Sequence, residues 1–179
     1  SKQAAGLRGV KQLRWATEHM TGQTASPFEV QTSMLVSLPR DEGGMGIDIT
    51  NNARIPLSEA ARSLYDKTCC YADILIESGT DSMGVILECQ GRSAHDSEAA
   101  SLSDAERATA LTSMGYDVIQ ITYDQIKDKR GFGNLAKLIH KKAGLPYTPK
   151  TDQERTAEDA LRRELLVNWD ELFTAGPTS

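Results

Sequence analysis

Apolar and polar positions along the chain follow two periods, and the change from one to the other marks out the elements. In residues 4–20, AAGLRGVKQLRWATEHM, Leu7, Val10, Leu13 and Met20 fall on roughly one side of a helix. Thr21–Ala25 breaks that pattern. Ser26 followed by Pro27, with Glu29 three residues past the cap, opens a second helix expected to run to about Leu38, where Pro39 ends it. Arg40–Gly46 reads as a loop on its three glycines, and Gly46–Pro56 as an extended segment. Ser58–Asp66 fits a short helix or an ordered insertion.

Stronger alternation follows. Tyr71–Glu77 (YADILIE) and Met83–Gln90 (MGVILECQ) read as strands joined by the turn Ser78–Ser82, hence a hairpin. Leu102–Met114 is an amphipathic helix stopped at Gly115, and Tyr116–Thr122 (YDVIQIT) is a further strand. Tyr123–Ile126 and Gly133–Ala143 are expected as helices, and Thr151–Phe173 as a charged terminal helix. In that terminal helix Leu161, Leu165, Leu166, Trp169 and Leu172 face either the chain's own core or a partner. The order α-α-β-β-β-α-β-α predicts a mixed sheet flanked by helices, an α/β layered domain. The expected division is a helix and linker over 1–25, a core over 26–145 and a helical extension over 146–179.

Composition narrows the picture. At 179 residues the chain suits one domain with a terminal extension. No apolar run approaches the roughly 20 residues that span a bilayer, and no leader pattern opens the chain, so a cytoplasmic protein without a membrane segment is expected. Three cysteines, two of them adjacent, make neither a disulfide framework nor a zinc spacing. The net charge of −5 counts against a surface that is basic overall. Its distribution leaves room for local basic patches, because acid gathers in Asp96–Glu106 and Thr151–Asp170 while Lys127, Lys129, Arg130, Lys137, Lys141 and Lys142 cluster between them.

Two carboxylates interrupt the apolar hairpin strands: Asp73 and Glu88. Buried acids need pairing, hydrogen bonds or a cation, and paired strands can bring these two side by side. Such an oxygen set suits Mg²⁺ or Mn²⁺. Gln90 shares a strand face with Glu88, whereas Cys89 points away and offers its backbone carbonyl as a further metal ligand. Periodicity alone leaves an edge hairpin with solvated acids equally open.

Further positions form an ordered set. They are Ser26-Pro27-Phe28-Glu29, Asp73, Glu88-Cys89-Gln90-Gly91, His95, Asp104, Arg107, Leu111, and Gly115-Tyr116 with Val118 and Thr122. Over about residues 5–145 this set resembles bacterial proteins similar to the very short patch repair endonuclease, a branch of the PD-(D/E)XK superfamily. The resemblance implies a restriction-endonuclease-like mixed sheet and divalent-metal-dependent hydrolysis of DNA phosphodiester bonds. Asp73 and Glu88 would hold Mg²⁺ or Mn²⁺, Glu29 would reach it directly or through water, and His95 would contact the scissile phosphate or assist proton transfer. Gln90 departs from the pattern, standing where the superfamily usually has lysine and this branch often has aspartate. It can orient water but brings no charge.

The remaining residues have two roles open to them. Glu29 either closes a capping box or serves the active centre. Arg107 either pairs with Asp104 along its helix or faces the acids. Arg92, Arg107, Lys127, Lys129 and Arg130 are candidate phosphate contacts or solvated charges. The alternatives to an active nuclease are a catalytically weak or inactive nuclease-fold module that binds nucleic acid, and an interaction domain of a defence or toxin–antitoxin-like system. DNA is the expected partner, and the resemblance leaves a homodimer open, although the hydrophobic pattern marks no pairing surface. GLRGVKQLRWATEH resembles the linker following an upstream winged-helix-like domain, so such a domain is expected in the full-length protein.

Overall fold

Four strands form a single sheet in the order β1-β2-β3-β4, and their spacing along the chain dictates their directions. The computed structural model describes residues 26–90 and 98–166, without the side chains of 98–101. The expected helix over 4–20, Arg92, His95, Trp169 and Leu172 lie outside the described residues. Strands β1 (Thr50–Pro56), β2 (Cys69–Ile76) and β3 (Gly84–Gln90) run antiparallel in succession. β4 (Tyr116–Thr122) pairs parallel with β3, which requires a crossover, and helix α3 (Glu98–Ser113) supplies it. The architecture is therefore α/β, with a mixed sheet flanked by helices.

The remaining helices are α1 (Pro27–Ser37), α2 (Glu59–Arg62), α4 (Tyr123–Lys127), α5 (Lys129–Ala143) and α6 (Asp152–Leu165). Their starts are written in local chemistry. Ser26, Ser58, Thr122, Asp128 and Thr151 each cap a helix by accepting a backbone N–H. Thr122–Gln125 and Thr151–Glu154 complete reciprocal capping boxes. The expected loop over 40–46 contains one 3₁₀ turn, Arg40–Glu42, closed by Gly43 at φ 98°. A side chain at Gly43 would meet the Ala157 carbonyl oxygen at 2.6 Å, so the turn packs against α6 only because glycine stands there.

Two cores cover the two faces of the sheet. In the larger, Phe28, Leu35 and Val36 of α1 and Phe132, Leu135 and Ile139 of α5 meet Ile74, Ile76, Val85, Leu87 and Ile121. In the smaller, Ala110 and Leu111 of α3 meet Ile55, Leu57, Cys70, Ala72 and Ile86. β3 is covered on both faces, which explains the almost unbroken apolar run VIL before Glu88. Leu161 is buried, and Leu165 and Leu166 pack on the larger core, so the described part of α6 belongs to the chain's own interior. Among the described residues no helix is long and apolar enough to cross a membrane.

The β1–β2 ribbon changes cores partway along. Asn51 faces α1, where its Oδ1 accepts the Ser33 hydroxyl at 2.7 Å, yet Ala53 and Ile55, in the same alternation, join the smaller core. On β2, Ile74 and Ile76 lie in the larger core and Cys70 and Ala72 in the smaller. The switch falls at Asn52 and Asp73, which stand opposite each other in register where regular pairing lapses. Asn52 takes φ 48°, a left-handed conformation that asparagine tolerates better than most residues.

Candidate active site at an opening between strands

Pairing between β2 and β3 covers Ile74–Leu87, Leu75–Ile86 and Ile76–Val85, and stops there. The next facing positions are Asp73 and Glu88. β2 leaves β3 at this point, and a side chain takes over the hydrogen bond that a strand would have made: Asp73 Oδ2 accepts the Cys89 backbone N–H at 2.7 Å. The ends of the ordinary pairing thus expose two carboxylates to one opening.

Glu88 points to the face covered by α3, as its neighbour in alternation Ile86 does. Arg107 lies three and four residues before Ala110 and Leu111, so it shares their side of the helix and reaches the sheet. Its Nη2 donates to Glu88 Oε2 at 2.7 Å, and its Nη1 to the Tyr71 carbonyl at 3.3 Å. Asp104 Oδ1 stands 3.7 Å from the same guanidinium. Both readings of Arg107 therefore hold: it pairs along its helix and faces the acids.

Glu29 pairs locally with the capping Ser26. Its backbone N–H is capped by Ser26 Oγ at 3.2 Å, while its Oε1 accepts the Ser26 hydroxyl at 2.9 Å. Its side chain is buried, and its negative charge reaches both Asp73 and the Cys89 thiol. Burial raises the pKa of Asp73 above its ordinary value; the Cys89 N–H opposes that shift and the Glu29 charge adds to it. Glu88 is pushed up to about 7, chiefly by burial, against the pull of Arg107 and with a further push from Asp73. The Cys89 thiol lies on the opposite face, toward α1, where burial drives it up to about 12 while a hydrogen bond with Thr32 pulls the other way.

One atom is conspicuously unserved: Glu88 Oε1 is buried and has no hydrogen-bond partner. Leaving a carboxylate oxygen so is costly. An oxygen-only pair of acids with one bare oxygen has the chemistry to take a hard divalent cation, which needs as few as one or two protein carboxylates and keeps its remaining waters. Among the described residues no group of three or more His, Cys, Asp and Glu side chains is gathered closely enough to cage a metal ion. The side chains that could hold a cation here are Asp73 and Glu88, with the Glu29 charge bearing on Asp73.

Gln90 is exposed at the end of β3, in register with Thr122 of β4. Both strands end at this edge of the sheet, and α4 starts directly after it. Lys127, Lys129 and Arg130 lie exposed at the α4–α5 junction that follows. They do not form an uncompensated basic rim, because Lys129 pairs with Asp159 at 2.7 Å. Farther along α5, Lys142 pairs with Asp117 at 2.7 Å. Two contributors escaped the sequence reading: Thr32, which bonds the Cys89 thiol, and Asn52. The signal for Asn52 was available, since adjacent asparagines are out of place inside a regular strand.

Comparison with protein-family profiles, with curated proteins and with solved structures finds no match.

Proposed function

We propose that the chain is a divalent-metal-dependent endonuclease that hydrolyses DNA phosphodiester bonds, built on a PD-(D/E)XK, restriction-endonuclease-like core. The observation that carries this reading is the opening between β2 and β3, where Asp73 and Glu88 face each other and Glu88 Oε1 is buried without a partner. Asp73 and Glu88 hold Mg²⁺ or Mn²⁺, with the Cys89 carbonyl as the expected backbone ligand. When bound, the metal stabilises charge on the scissile phosphate and lowers the pKa of a water. Gln90, exposed at the strand end beside the acids, orients that water by hydrogen bonding and does not take its proton. Arg130 and Lys127 supply phosphate contacts along the adjoining helix junction, and Arg92 and His95, which follow Gln90 in sequence, are the further expected contacts.

A second reading, a nuclease-fold module that binds nucleic acid with weak or no catalysis, draws on a different observation. Arg107 already neutralises Glu88, and Gln90 brings no cation to the strand end. Incubation of plasmid and single-stranded DNA with Mg²⁺ or Mn²⁺, comparing wild type with Asp73→Ala and Glu88→Ala, separates the two. Cleavage abolished by both substitutions is the expected result, and cleavage unaffected by either would sink the active-centre assignment. Absence of cleavage with DNA binding that weakens steeply with salt favours the binding module. Neither activity leaves a protein-interaction domain of a defence or toxin–antitoxin-like system.

A further inference from the structure

The ion pair between Arg107 and Glu88 occupies one of the two oxygens that the proposed metal would use. We infer that Arg107 is a resident counter-cation for Glu88, which a divalent ion arriving at the bare Oε1 displaces toward Asp104. The inference rests on the reading of Asp73 and Glu88 as metal ligands and adds the regulation of that site.

Three features of the geometry support displacement rather than a fixed structural tie. First, the hold is asymmetric: Arg107 Nη2 grips Oε2 at 2.7 Å, while Oε1 remains buried and bare. A forked guanidinium and carboxylate can satisfy each other through two parallel bonds, and here they do not. Second, the guanidinium has somewhere to go. Its side chain is 25% exposed, and Asp104, 59% exposed and one helical turn back, lies 3.7 Å away as an alternative partner. Third, acidic charge gathers around the ion pair. Asp73 and Asp104 both bear on Glu88, and Arg107 holds it with a single charge. A dication offers such a set more charge than one guanidinium does, and it can use the oxygen that Arg107 leaves bare.

Titration of Mg²⁺ into nucleic-acid-free protein, followed by calorimetry at about pH 8.5, above the value of about 7 to which burial pushes Glu88, tests this directly. Arg107→Gln is expected to bind Mg²⁺ about tenfold more tightly than wild type, the gain expected when one charged hydrogen bond no longer has to be broken. Arg107→Lys keeps a charge but cannot grip Glu88 and the Tyr71 carbonyl together, so its affinity should fall between the two. It also decides the question if Arg107→Gln does not fold. Equal or weaker Mg²⁺ binding by the folded Arg107 variants, with binding lost in Glu88→Gln, overturns the displacement and leaves the metal site standing. Wild-type Mg²⁺ affinity in Glu88→Gln overturns the metal site itself.

Discussion

Asp73 and Cys89 are joined across the opening by a 2.7 Å hydrogen bond from the Cys89 backbone N–H to Asp73 Oδ2, made just where their strands cease to pair. The carboxylate therefore does structural service before any catalytic one. Asp73→Ala leaves the N–H without its acceptor and is expected to cost about 1–3 kcal/mol in urea unfolding without metal. Asp73→Asn keeps an acceptor oxygen and removes a partly buried charge, so it should stay within about 1 kcal/mol of wild type. If Asp73 and Glu88 hold Mg²⁺ as proposed, Mg²⁺ should stabilise the wild type and neither variant. Undiminished stabilisation by Mg²⁺ in Asp73→Asn would show that the hydrogen bond is this side chain's whole role.

Stability should depend on pH through Glu88. Its folded value of about 7 lies above the ordinary 4.5, so between these values the folded protein holds a proton that the unfolded chain has released. The contribution is fully present below about 4.5 and is lost as pH rises through about 7. The shift corresponds to about 3 kcal/mol at most. Glu88→Gln removes this titration. The stability of wild type relative to Glu88→Gln, measured without metal, should fall across that window, and parallel pH profiles would contradict the assignment.

Cys89 should resist alkylation. Its thiol packs half-buried on the larger core and is pushed up to about 12 by burial, and burial raises Cys70 as well, so neither offers a ready thiolate at neutral pH. Cys69, also half-buried, lies outside both cores. Iodoacetamide labelling followed by mass spectrometry should modify Cys69 first and Cys89 only on unfolding.

Arg162 fastens α6 to the end of α4. Its Nη2 donates to the Ile126 and Lys127 carbonyls, its guanidinium lies 4.8 Å from the Phe132 ring centroid, and its buried Nη1 has no partner. Arg162→Ala should destabilise by about 2–3 kcal/mol, because charged hydrogen bonds and packing are lost together. Arg162→Met keeps apolar bulk over Phe132 and removes the unpartnered cationic nitrogen, so its loss in thermal or urea unfolding should be smaller. Equal losses would mean that the hydrogen bonds carry the whole effect.

Elements whose signals are local were legible in the chain. Tyr116–Thr122 was expected as a strand on its alternation and is β4, and Ser26-Pro27 opens α1 as capping chemistry requires. α3 begins at Glu98, earlier than the expected Leu102, because Glu98–Ser101 (EAAS) holds no large apolar residue to start the periodicity. The carboxylates of the candidate site were visible as charges inside apolar strands. Their surroundings were not. Whether Arg107 turns toward Asp104 or Glu88 depends on how α3 sits on the sheet, and the lapse of pairing at Asp73 depends on three strands at once. A one-dimensional pattern records neither.

The parallel pairing of β3 with β4 also orders the chain's assembly. β1, β2 and β3 form a meander from contacts close in sequence, whereas β4 can join only after α3 has crossed the sheet. Arg107 travels on that helix. A half-assembled meander thus presents Asp73 and Glu88 without Arg107, and its outer face still lacks Ala110 and Leu111. When α3 docks, apolar cover and counter-charge arrive in one step. Self-repulsion in the partial structure penalises stopping there, and the acidic centre helps make the closing of the sheet cooperative.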